Sequence, residues 1–143
     1  MKPSLDHLVY ATPDLERTVA ELQGGLGVRA APGGRHIGEG TRNALIALGP
    51  ASYLEILGPD PEQPPPARPL WFGLECLTRP RLTTWAMKGS DLETISERAL
   101  AAGARLGAVA DGSRRRAVGY VLRWRFTDPR VLVADGRVPI VIV

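Results

Sequence analysis

His7 lies inside the apolar run Leu5-Asp6-His7-Leu8-Val9-Tyr10, and Glu55 lies inside Tyr53-Leu54-Glu55-Ile56-Leu57. An imidazole and a carboxylate inside buried strands are costly unless something binds them. A divalent zinc, iron, manganese or nickel ion would do so, because imidazole nitrogen and carboxylate oxygen are ordinary ligands for these metals. A neutral hydrogen-bonded pair, or a backbone carbonyl on His7, would serve as well. His36 is the only other histidine, in the glycine-dense stretch Gly33-Gly34-Arg35-His36-Ile37-Gly38-Glu39-Gly40-Thr41-Arg42-Asn43. Glycines there let backbone approach a substrate closely. A plain hairpin is the alternative, and the stretch has no phosphate-loop spacing. His36 is a candidate third ligand, a general base or an exposed loop residue. Glu55 and His36 are therefore the candidate catalytic groups, and His7, Glu55 and His36 the candidate metal ligands. Two ligands alone would hold a metal weakly, since a closed site takes three or four.

Arg42 and Asn43 enter a strand, and alternation lets only one of them face a pocket. Further on, Tyr120, Leu122, Trp124 and Phe126 share one face of a strand, with Arg123 and Arg125 on the other. The apolar face is expected to pack under a helix. Arg123 and Arg125 are then left at a pocket where they can clamp a carboxylate or phosphate, or they are solvated. Trp71 is a candidate pocket cap or a core residue. Substrate-binding candidates are thus Arg42, Asn43, Arg123, Arg125 and Trp71. Cys76 reads as a small buried hydrophobe.

Positioning these groups requires a regular scaffold. Residues 4–10 read as a strand. Thr12-Pro13-Asp14 starts a helix, with Thr12 as N-cap, and Leu15, Val19, Leu22 and Leu26 form its apolar face. Strands are expected at 28–31, 43–48 and 52–57, the last two as a hairpin. Residues 58–69 hold six prolines and read as a stiff linker. A short helix at 70–77 follows. Then the pattern restarts with a strand at 82–88, a helix from Ser90-Asp91-Leu92-Glu93, and strands at 105–108, 118–127 and 138–143. An offset of 77 places Asp14-Leu15-Glu16 on Asp91-Leu92-Glu93, as an internal duplication would.

The composition of the 143 residues, 44% hydrophobic and 23% charged, is that of a globular protein. One cysteine excludes an intrachain disulfide, which fits a cytoplasmic location. No apolar run approaches the ~20 residues that span a bilayer, and no signal peptide is evident. Residues 71–143 carry twelve basic and seven acidic side chains, against six and eight in residues 1–70. Arg114-Arg115-Arg116 reads as a solvated turn. The chain offers no nucleic-acid motif, so neither nucleic acid nor membrane is an expected partner.

Taken together, "LDHLVYATPDL", "GGRHIGEGTRNALIALG" and "YLEILGPDP" resemble the glyoxalase-like domain family of the vicinal oxygen chelate superfamily. That superfamily includes glyoxalase I, extradiol dioxygenases, methylmalonyl-CoA epimerase and the fosfomycin and bleomycin resistance proteins. The resemblance is dense over 4–61, thins over 82–143, and spans a single domain over 1–143. It implies an α+β fold of paired βαβββ modules, about 4–58 and 82–143. These form a cupped mixed sheet with helices on the outer face. It also implies a divalent metal held from the first and fourth strands of a module, here by His7 and Glu55. In the second module these positions map to Thr84 and near Val141, neither a usual metal ligand, so the ligand set is incomplete. Family members often continue past the position of Val143, where further ligands or a lid can lie. The implied activities are metal-dependent lyase, isomerase or dioxygenase chemistry on a small anionic molecule. Non-catalytic small-molecule binding of the resistance or sensor type is the alternative. A homodimer is a candidate assembly.

Overall fold

The computed structural model describes residues 2–116 and 118–143. The order of elements is β1 (Ser4–Ala11), α1 (Leu15–Leu26), β2 (Ala31–His36), β3 (Thr41–Ala47), β4 (Tyr53–Pro59), a 3₁₀ segment (Trp71–Cys76), β5 (Arg81–Lys88), α2 (Leu92–Ala101), β6 (Val109–Arg116), β7 (Val121–Thr127) and β8 (Ile140–Ile142). The fold is therefore α+β, with strand, helix and three strands occurring twice.

The eight strands close on themselves in the order β1-β4-β3-β2-β6-β7-β8-β5. Within each half the first strand runs parallel to the last, β1 with β4 and β5 with β8. The halves join through antiparallel pairs, β1 with β5 and β2 with β6. The offset of 77 carries β1 residue for residue onto β5, and Asp14 onto Asp91. Both aspartates are helix N-caps: Asp14 accepts from the Arg17 N–H at 3.1 Å and Asp91 from the Thr94 N–H at 2.9 Å. Thr12 lies just before the first cap, where its hydroxyl bonds Thr18 at 2.7 Å.

Alternation along β4 divides the core. Leu54 and Ile56 pack outward with Ala44 and Ile46 under Leu15, Val19 and Leu22 of α1. Glu55 and Leu57 point inward. Inside, Val9, Ala11, Leu57, Trp71, Phe72, Ala86, Phe126 and Ile140 form the second cluster. α2 contributes less, burying only Leu92 among its residues.

Three expectations shift. The second strand is at Ala31–His36 rather than 28–31, and the sixth at Val109–Arg116 rather than 105–108. The arginine triplet is thus strand, not turn, because β6 pairs with β7 along seven residues. Glu55 sits opposite Val9, and the corresponding pair in the second half is Ala86 with Ile140. The counterpart of Glu55 is therefore Ile140, beside Val141 as expected. Residues 60–70 lie against the β2–β3 turn, where a side chain on Gly40 would meet Pro66 at 2.9 Å.

Candidate functional site

His7, His36, Asn43 and Glu55 line one hollow of about 230 Å³ inside the barrel, walled by Trp71, Phe72, Trp124, Phe126 and Ile140. Two larger grooves, of about 510 and 760 Å³, lie outside and contain no histidine. His7 Nε2 is 3.4 Å from Glu55 Oε2, and His36 Nε2 is 3.8 Å from Glu55 Oε1. The pairings of β1 with β4, β4 with β3 and β3 with β2 bring them together.

Each ring is held by its other nitrogen. His7 Nδ1 donates to Asp6 Oδ2 at 2.6 Å. Consecutive strand residues ordinarily face opposite sides. A register shift between Leu5 and His7 re-aims Asp6, as bulges do. Tyr53 stacks on the His7 ring at 4.7 Å. His36 Nδ1 is 2.9 Å from the Thr41 hydroxyl. The orientation of Asn43 follows from its partners. Its Oδ1 accepts from the Gly34 N–H at 3.0 Å, and its Nδ2 donates to Glu55 Oε1 at 2.6 Å. The same Nδ2 faces His36 Nε2 at 3.5 Å. This network assigns the His36 proton to Nδ1 and a lone pair to Nε2.

The charges follow from these contacts. Burial opposes ionisation of Glu55, but His7, then His36 and Asn43, outweigh it and hold the carboxyl at about 2. Burial likewise opposes protonation of His7, yet hydrogen bonds to Asp6 and Glu55 raise it to about 9. Asp6 is held below its usual range: burial works against this, and His7 and Lys88 prevail. His36, 2% exposed, is pushed down to about 4 by burial and stays neutral. At neutral pH the hollow thus holds an imidazolium, a carboxylate and a neutral imidazole.

A folded-state pKa above the unfolded one stabilises the protein below the unfolded value and loses that stabilisation as pH rises through the folded value. For His7 this window runs from 6.5 to about 9. We expect metal-free protein to lose stability across it by on the order of 3 kcal/mol, read from urea midpoints. His7→Gln should flatten that slope. An identical slope in the variant would contradict the pairing.

The sequence candidates divide. His7, His36, Glu55, Asn43 and Trp71 meet in the hollow. Arg42 does not: alternation turns it outward, where it pairs with Glu16 at 2.6 Å. Arg125 is also outside, bonded to Glu93 of α2 at 2.5 Å. The expected facing of β7 is therefore inverted. Its aromatic face lines the hollow, where Phe126 joins the inner cluster and Trp124 packs against it. Arg123 is exposed and borders both the hollow and an outer groove. Cys76 is exposed.

Arg114 was missed as a site residue. It lines the hollow, with Nη1 3.4 Å from Asn43 Oδ1. The glycines were its signal. A Cβ on Gly34 would overlap the Arg115 carbonyl oxygen and sit 2.7 Å from Arg114 Cγ, and one on Gly33 would overlap Asn43 Oδ1. In the second half, Thr84 donates to the Gly136 carbonyl at 3.0 Å and Ile140 is apolar, so this side offers no ligand from those positions.

Among the described residues, no three His, Cys, Asp or Glu side chains already close on one point as a metal cage. The Asn43 amide stands between Glu55 and His36, and the hydrogen bonds to Asp6 and Glu55 favour a proton on His7. No helix of the described residues is long and apolar enough to cross a membrane.

Solved structures with this fold include a protein of Staphylococcus aureus described as hypothetical, at a TM-score of 0.72 and 14% identity. The match covers 99% of this chain but only 58% of that one. Methylmalonyl-CoA epimerase of Mycobacterium tuberculosis superposes at a TM-score of 0.58 with 24% identity, over 96% of this chain and 85% of that one. A variant of the Streptomyces coelicolor methylmalonyl-CoA epimerase, in complex with 2-nitronate-propionyl-CoA, gives 0.60 and 22%, over 96% and 94%. No curated protein matches the chain. A model of the glyoxalase-like domain matches residues 5–143, nearly the whole chain, and the protein belongs to that family.

Proposed function

We propose that the hollow is the active site of a metal-dependent isomerase or lyase acting on a small anionic molecule. The observation that carries this reading is the convergence of two imidazole nitrogens and one carboxylate, each ring oriented from behind by Asp6 or Thr41. Metal-binding histidines are ordinarily oriented in this way. The donor chemistry fits a divalent ion once the Asn43 amide swings aside and His7 releases its proton. His7, His36 and Glu55 would hold it. When bound, it would act as a Lewis acid on vicinal oxygens of the ligand and stabilise an enediolate-like charge. Where His36 is not a ligand, its Nε2 lone pair makes it the base that moves a proton. Two histidines and a carboxylate also suit iron-dependent dioxygenase chemistry, which oxygen uptake would distinguish.

The second reading is a non-catalytic binding module. It is favoured by Thr84, Ile140 and Asn43 standing where further ligands would be needed. Melting curves separate the two. With zinc or manganese at about 100 times its Kd, the melting free energy should rise by about 2.7 kcal/mol. Stabilisation by small acids alone, with no response to either metal, would favour the binding module.

A further inference from the structure

Among the described residues, the Arg114 guanidinium lines the hollow without a carboxylate partner, and its buried Nε lacks any acceptor. Arg35 is paired with Asp60 and Glu62, Arg42 with Glu16, Arg125 with Glu93, and Arg130 with Asp128 and Glu39, whereas Arg123, exposed at the mouth of the hollow, has no carboxylate partner among the described residues. The one carboxylate among the described lining residues, Glu55, is engaged by His7 and Asn43. The Arg114 side chain is half-buried, and a buried polar atom such as its Nε is ordinarily hydrogen-bonded.

Register places this charge relative to the walls. On β6 and β7, Arg114 lies opposite Leu122, Gly112 opposite Trp124, and Ala110 opposite Phe126. Gly112 makes room for the indole, since a Cβ there would overlap Trp124 Nε1. One strip of the hollow therefore runs from a guanidinium to two aromatic rings. At about 230 Å³ it has room for roughly eight waters.

We infer that Arg114 determines ligand specificity: the hollow takes a small carboxylic acid whose carboxylate docks on Arg114 and whose flat apolar body lies against Trp124 and Phe126. A planar carboxylate matches the guanidinium fork, and the aromatic strip requires no further polar group. The inference rests on the hollow being the ligand site but not on a metal being present.

The test compares phenylacetate with phenylacetamide, its neutral isostere, and with acetate, which lacks the apolar body. Titration calorimetry on the full chain supplies the affinities. Phenylacetate should bind at least about tenfold tighter than either, as a charge-assisted contact and an apolar contact each require. Arg114→Gln should weaken phenylacetate by about tenfold or more and leave phenylacetamide within about twofold. Arg125→Gln removes the same charge outside the hollow and should change neither. If Arg114→Gln folds poorly, Arg114→Lys replaces it and should still weaken phenylacetate by about threefold or more, because the fork is lost. Equal binding of acid and amide, no binding of any probe, or an acid preference that survives loss of Arg114 would overturn the inference. Zinc titration of the same proteins separates the readings. Acid preference without zinc binding overturns the metal-dependent function and leaves the role of Arg114 standing.

Discussion

Glu55→Ala is expected to destabilise the protein by about 3–5 kcal/mol, the usual loss when one partner of a buried ion pair is removed. Two effects compete. A buried carboxylate is intrinsically unfavourable, and removing one at a functional site sometimes stabilises a protein. Here the carboxyl is held at about 2, so its partners already outweigh its burial. Removal strands the His7 imidazolium on its Nε2 side and leaves Asn43 Nδ2 without the acceptor it has at 2.6 Å. In a chain of this length the melting temperature should fall by roughly 9–15 °C. Glu55→Gln keeps the shape and should lose less. A loss below about 1 kcal/mol for the alanine variant would show that the ion pair is not the organising contact of the hollow.

Trp71→Ala should be comparably severe, at about 3–5 kcal/mol. The indole is 4% exposed. It packs edge-on against Phe126 at 5.3 Å and tilts over His36 at 4.6 Å. Its neighbour Phe72 has φ of 57°, a conformation that non-glycine residues rarely adopt. Packing around the pair must hold that geometry. Trp71 Nε1 has no acceptor, so the loss is one of packing rather than hydrogen bonding. Trp71→Phe should therefore retain most of the stability, losing about 1–2 kcal/mol. Equal losses for both substitutions, measured by urea unfolding, would contradict that account.

The parts of the site legible in the sequence were those where polar residues interrupt apolar strands. His7 and Glu55 stood out because Leu8, Val9, Leu54 and Ile56 flank them, and period-two alternation then places both on one face. The duplicated order of elements was legible from Asp14-Leu15-Glu16 and Asp91-Leu92-Glu93, because a helix N-cap needs a side-chain acceptor at a defined place. What escaped was set by distant contacts. β2 contains Gly33 and Gly34, poor strand formers on local propensity. They are there because the Asn43 side chain and the backbone of β6 at Arg115 occupy the space a side chain would take. The strand at Arg114–Arg116 was obscured by its charge, and pairing with β7 overrides that. The facing of β7 was misread because an apolar face was assigned to a helix. Trp124 and Phe126 instead face the hollow and join the inner cluster with Trp71. Arg125 faces away from the hollow, while Arg114 and Arg123 border it.

The most direct test of the central claim is calorimetric titration of chelator-treated, untagged protein with zinc and with manganese at pH 7.5, in two buffers of different ionisation enthalpy. The account expects one ion per chain, with about one proton released as His7 gives up its own. Binding should be lost in His7→Ala and in Glu55→Ala. Failure of both metals to bind stoichiometrically, or binding that both variants retain, would contradict it.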